Sequence, residues 1–101
     1  MSLHIINKSP YESTQLQRCL ACAQPGNSII FIEDGVYALA TNAALSPTIE
    51  QASTHYLLYG LKADIEARGL NDRLIKDVKL IDYDDWVDLV ILYDKTISWA
   101  N

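Results

Sequence analysis

The sequence predicts an α/β fold, a three-layer sandwich built on a mostly parallel sheet of about five strands. Three observations carry this reading. Short β-branched runs alternate with helix-periodic stretches over brief connections, the order that sets strands side by side with helices crossing between them. One run, "SIIFI" at 28–32, has no polar break, as expected of a strand covered on both faces. The chain has 101 residues, 50% of them apolar and 21% charged, which suits one hydrophobic core, so residues 1–101 are read as a single domain.

Leu3 to Ile6 forms the first strand, stopped by the turn residues Asn7, Lys8, Ser9 and Pro10. Between Glu12 and Ala23 the apolar positions Leu16, Cys19, Leu20 and Ala23 repeat at helical spacing, with Gln15, Gln17 and Arg18 off that stripe. Gln24-Pro25-Gly26-Asn27 breaks this first helix, and Ser28 to Ile32 follows as a central strand. In "EDGVYALATNAAL", 33–45, an acidic pair and a glycine precede a short Ala-rich helix, and Pro47 opens a further helical piece through Gln51. "YLLY" at 56–59 is the third strand. Leu61 to Arg68 is a helix stopped by Gly69, the residue best suited to a left-handed cap. Val78 to Ile81 is the fourth strand, Asp82 to Asp94 the last helix, and Thr96 to Trp99 a closing strand.

The last helix has more apolar residues than one stripe needs. Trp86, Leu89, Val90 and Tyr93 share a face, Val87 and Ile91 form a second row about 100° away, and Leu92 lies on the opposite flank. A helix of this kind points to burial in an assembly, the alternative being a helix sunk deep in its own domain.

Eight Lys plus Arg against thirteen Asp plus Glu give a net charge of -5, and no segment clusters enough positive charge to track a phosphate backbone. Direct nucleic-acid binding is not expected. No apolar run approaches the ~18–20 residues of a membrane span, and "MSLHIINKSP" lacks the charged-then-apolar order of a signal peptide. A cytoplasmic chain with no membrane contact is therefore expected, with its two cysteines reduced.

Those cysteines, Cys19 and Cys22 in "RCLACA", are the main chemical candidates. A thioredoxin-like pair needs its first cysteine at a helix N-terminus, where the dipole favours the thiolate, and this pair is expected about two turns in. Zinc needs three or four ligands, and His4 and His55 stand singly in strand regions, each better read as partly buried and hydrogen-bonded. No nucleophile elbow or glycine-rich phosphate loop is present, so neither metal nor cofactor is expected. Glu33-Asp34 precedes a helix, where carboxylates offset the dipole more readily than they do acid-base work. In α/β sheets ligand chemistry gathers beyond the carboxyl ends of the strands, here Asn7 to Pro10, Glu33 to Gly35, Gly60 and Asp82. Measured from Leu16, Cys19 falls about 60° to one side of the stripe and Cys22 about 120° the same way. That places Cys19 nearer the core and Cys22 nearer the rim. Geometry alone leaves the two equal as single nucleophiles, and leaves packing an equal alternative to either.

"LHIINKSP" at 3–10, "EDGVYA" at 33–38, "LKADIEARGL" at 61–70, "IDYDDWVDL" at 81–89 and the terminal "SWA" together resemble the TusB/DsrH family of small sulfur-relay subunits. The resemblance implies a DsrE/DsrF/DsrH-type fold and a heterohexamer with two homologous sister subunits, TusC/DsrF-like and TusD/DsrE-like. It implies a cytoplasmic sulfurtransferase complex that passes persulfide sulfur, through a downstream acceptor protein, toward 2-thiouridine at the tRNA wobble position. Within the family the alternative is a DsrH-type subunit of dissimilatory sulfur oxidation; outside it, a purely structural subunit with packing cysteines. The principal sulfur-carrying cysteine belongs to a sister, so this chain is expected to be non-catalytic or a secondary carrier. By the same resemblance Cys19 matches the family's first-helix cysteine and is the candidate persulfide carrier, while Cys22 lies outside the pattern.

Overall fold

The computed structural model describes residues 1–99. Its five strands are β1 (Ser2–Ile6), β2 (Ser28–Phe31), β3 (Leu57–Leu61), β4 (Val78–Ile81) and β5 (Lys95–Ser98). They form one sheet in the order β4-β3-β2-β1-β5, with every neighbouring pair parallel. All four residues of β2 are buried, as its unbroken apolar run requires at the sheet centre. The predicted α/β class is the observed one.

Helices α1 (Gln15–Cys22), α2 (Ser46–Ala52) and α3 (Lys62–Ala67) and a 3-10 helix (Glu33–Leu39) cover one face. There Leu16, Val36, Leu39, Ile49 and Ile65 pack on Ile6, Ile29, Phe31 and Leu58. α4 (Tyr83–Leu92) covers the other face alone. Because β4 and β5 are opposite edges, α4 carries the chain across the whole sheet.

Local chemistry accounts for the differences from the sequence reading. α1 starts three residues later than the apolar periodicity suggests, because Ser9 and Ser13 hydroxyls accept from the Tyr11 and Gln15 N–H groups and hold a turn there. The Ala-rich stretch is not an α-helix. Its first part is the 3-10 helix, and beyond it Ala40 bridges Leu74 while Thr41 N–H donates to the Arg73 carbonyl at 2.6 Å. Gly69, at φ +65, takes the left-handed conformation its position after α3 called for.

Gly35 is required for a different reason: a Cβ there would lie 2.3 Å from the Ile6 carbonyl oxygen, at the end of β1. That oxygen already accepts from Ile32 N–H at 2.9 Å, so the main chain cannot yield without opening the sheet edge. Gly35→Ala is expected to cost at least about 2 kcal/mol, read as a lower urea midpoint at unchanged m value.

α4 begins at a capping box, Asp85 N–H donating to Asp82 Oδ1 at 2.9 Å while Asp82 N–H reaches Asp85. Trp86, Leu89 and Tyr93 pack on Leu3, Ile30, Ile32, Leu61 and Ile81. Val90, predicted on that face, is 40% exposed at its rim, and the second row lies open, with Val87 at 55% and Ile91 at 76%. No residue of α4 is buried, so the helix is not sunk in its own domain.

Candidate functional site

Cys19 occupies the inner side of α1 with no solvent exposure, whereas Cys22, three residues on, is exposed; both are free thiols. The inner and outer placement follows from the 100° advance per residue. Because α1 begins at Gln15, Cys19 lies little more than one turn in, closer to the N-terminus than the periodicity suggested. Dipole assistance is nonetheless outweighed. Burial, followed by the neighbouring Cys22, pushes the Cys19 thiol up to about 12, with the nearby Trp99 opposing the rise.

A polar cluster lies behind this thiol. Trp99, just past β5, packs against the core that contains Cys19, and its main-chain N–H donates to the Ile5 carbonyl at 3.2 Å. The indole Nε1–H donates to His4 Nδ1 at 3.0 Å, and the two rings stack with centroids 6.1 Å apart. His4 Nε2 lies 3.3 Å from Asn27 Oδ1, which also accepts from Gln24 N–H at 3.0 Å. An acceptor at Nδ1 and a donor at Nε2 define a neutral imidazole. The Arg18 guanidinium lies over the Trp99 ring, 5.8 Å from its centroid. His4 is therefore the buried, hydrogen-bonded residue expected; His55 is instead exposed in a turn, its carbonyl accepting from Gly26 N–H.

At the carboxyl edge of the sheet, the polar side chains hold loops together. Gln15, which lies off the apolar stripe, is 1% exposed: its Oε1 accepts from the Asn7 and Lys8 N–H groups, and its Nε2 donates to Asn7 Oδ1 at 2.9 Å. The apolar pattern could not reveal this burial; the two loop N–H groups needing an acceptor were the only signal. Asp34 pairs with Arg68 at 2.9 Å and Asp64 accepts from Glu33 N–H at 2.7 Å, so the acidic pair is tied into an ion-pair and loop network. Among the described residues no group of three His, Cys, Asp or Glu is placed to hold a metal ion. Nor is any described helix long and apolar enough to cross a membrane.

The nucleophiles this arrangement offers are two thiols, one covered and one open. Sequence reasoning placed Cys19 on the inner side of the first helix but missed what surrounds it, since Trp99, His4 and Asn27 meet only through strand pairing.

Residues 8–96 match the family described as DsrH like protein. Among relatives, Protein TusB of Photorhabdus laumondii subsp. laumondii is 38% identical over 100 residues, covering 96% of this chain and 99% of its own. Protein TusB of Escherichia coli (strain K12) is 29% identical over 97 residues, with the same coverage. Among solved structures, the ychN protein from E. coli superposes with a TM-score of 0.83 at 15% identity, covering 97% of both chains. A Thermotoga maritima protein solved by NMR superposes at 0.62 with 23% identity, covering 93% of this chain and 95% of that one. These two likenesses concern the fold.

Proposed function

Because the chain belongs to the DsrH-like protein family, we propose that it is one subunit of a cytoplasmic sulfur-relay complex that moves persulfide sulfur toward 2-thiouridine at the tRNA wobble position. Relatives bearing the name Protein TusB support the tRNA branch over sulfur oxidation. The partners are two homologous sister subunits, TusC/DsrF-like and TusD/DsrE-like, in a heterohexamer that hands sulfur to a separate acceptor protein. The observation that carries the assembly is the uncovered apolar row of α4, Val87 and Ile91, with Leu92 at 76% exposure beside it.

The relay step is a thiolate displacement. A cysteine thiolate attacks the terminal sulfur of a donor persulfide, a new S–S bond forms, the donor S–S bond breaks, and the donor leaves as a thiolate. No net oxidation occurs. Cys19 is the residue we assign to this step as a secondary carrier. With its thiol covered and pushed up to about 12, it takes part only once uncovered. The same burial favours a second reading, in which this chain holds its sisters in place and the two cysteines only pack.

Intact-mass spectrometry of the co-expressed complex after exposure to a persulfide donor separates the two. Sulfur gained by this chain in wild type and Cys22→Ser, and lost in Cys19→Ser, is the expected result. Loading confined to a sister subunit would leave this chain the structural role.

A further inference from the structure

We propose that Trp99 is a latch over Cys19, held shut by neutral His4, and that Cys19 becomes reactive when the indole swings away rather than when α1 or β1 moves. The inference deepens the carrier assignment and rests on it. Cys19 lies between α1 and the core strands, and Trp99 packs against that same core cluster with its ring beside Arg18, the residue next to Cys19. The first two are costly to displace. His4 and its neighbours sit in β1, which is paired on both sides, and Leu16 and Cys19 of α1 are buried in the main core.

Trp99 is attached differently. It follows β5, an edge strand that pairs only with β1 and has no buried residue. Its hold comes from packing at the margin of the core, the Arg18 guanidinium over its ring, the main-chain bond to Ile5, the stack on His4 and the 3.0 Å bond from Nε1–H to His4 Nδ1. Edge segments with little burial open at lower local free energy than core elements, so this is the wall that yields first. The latch is also specific. His4 accepts at Nδ1 because its proton sits on Nε2, which donates to Asn27 Oδ1, and Asn27 Oδ1 is itself fixed by Gln24 N–H.

The test is the rate of Cys19 alkylation by iodoacetamide at pH 8, in a Cys22→Ser chain, followed by intact mass. Trp99→Ala is expected to react at least tenfold faster with unchanged far-UV circular dichroism. Trp99→Phe, which keeps the apolar cover and loses the indole bond, is expected to react about threefold faster, and it decides the matter should the alanine variant lose its fold. Folded variants reacting at the wild-type rate would overturn the latch. So would a wild-type rate whose urea dependence equals the full unfolding m value, since Cys19 would then be exposed by global unfolding alone. The same samples are exposed to glutathione persulfide. If Trp99→Ala is alkylated but takes no sulfur, the latch stands and the carrier assignment falls. If wild type loads sulfur at Cys19 as readily as Trp99→Ala, the latch falls and the carrier assignment stands.

Discussion

Cys19 in the folded chain is expected to react with iodoacetamide at pH 8 about a thousandfold more slowly than in the urea-unfolded chain. Burial raises the thiol from 9.0 to about 12, and the nucleophile that iodoacetamide alkylates is the thiolate. Steric cover adds to this, since the sulfur has no solvent exposure. The same shift has a stability consequence whose sign is fixed. A thiol with a raised folded-state value favours the folded state while it stays protonated; that contribution is complete below about pH 9 and is lost as pH rises toward 12. Across that window stability should fall by up to about 1.4 kcal/mol per pH unit from this group. Tyr59, whose phenol is also pushed up by burial and by Tyr93, contributes a loss in the same direction. The difference between wild type and Cys19→Ala isolates the thiol: the variant's urea midpoint should decline less steeply with alkaline pH. Parallel pH profiles would mean that Cys19 is not desolvated in solution.

The element order of this fold was legible because each signal was local. The four buried residues of β2 follow from one unbroken run, and Gly69 from one turn. What stayed hidden depends on contacts far apart in sequence. Trp99 and His4 are 95 positions apart and are joined because β5 returns beside β1 after α4 has crossed the sheet. No periodicity within β1 or β5 contains that information. Gln15 shows the converse case, a polar side chain that the apolar pattern assigns to solvent and that loop N–H groups draw inside. The excess of apolar residues on α4 was legible as a quantity. The structure shows where the excess goes: Trp86 and Leu89 toward the sheet, Val87 and Ile91 away from it.

That division of α4 allows a substitution that separates folding from assembly. Val87→Glu combined with Ile91→Lys should leave the isolated chain as stable as wild type, or more stable by a few tenths of a kcal/mol. Both positions are solvent-facing in the chain, at 55% and 76%, so no core contact is lost. Glu four residues before Lys is the favourable orientation on a helix, and a cation in the last turn complements the dipole, which has no basic residue there in the natural sequence. In an assembly the same two charges would enter an apolar interface. Desolvating this ion pair in an apolar interface costs more than its mutual attraction returns, and two apolar contacts are lost with it, so association should weaken by at least about a hundredfold. Co-purification with tagged sister subunits should then lose this chain, while its thermal unfolding alone is unchanged. If the double variant is retained in full, the open row of α4 is not an interface, and the proposed assembly must use another surface. If only Ile91→Lys disrupts it, the contact is centred near the C-terminal end of the helix, beside Leu92. The weight falls on these two residues because they are exposed, apolar and on rigid helical backbone at once. A partner can bury them without reordering the helix, which keeps the entropic cost of association low.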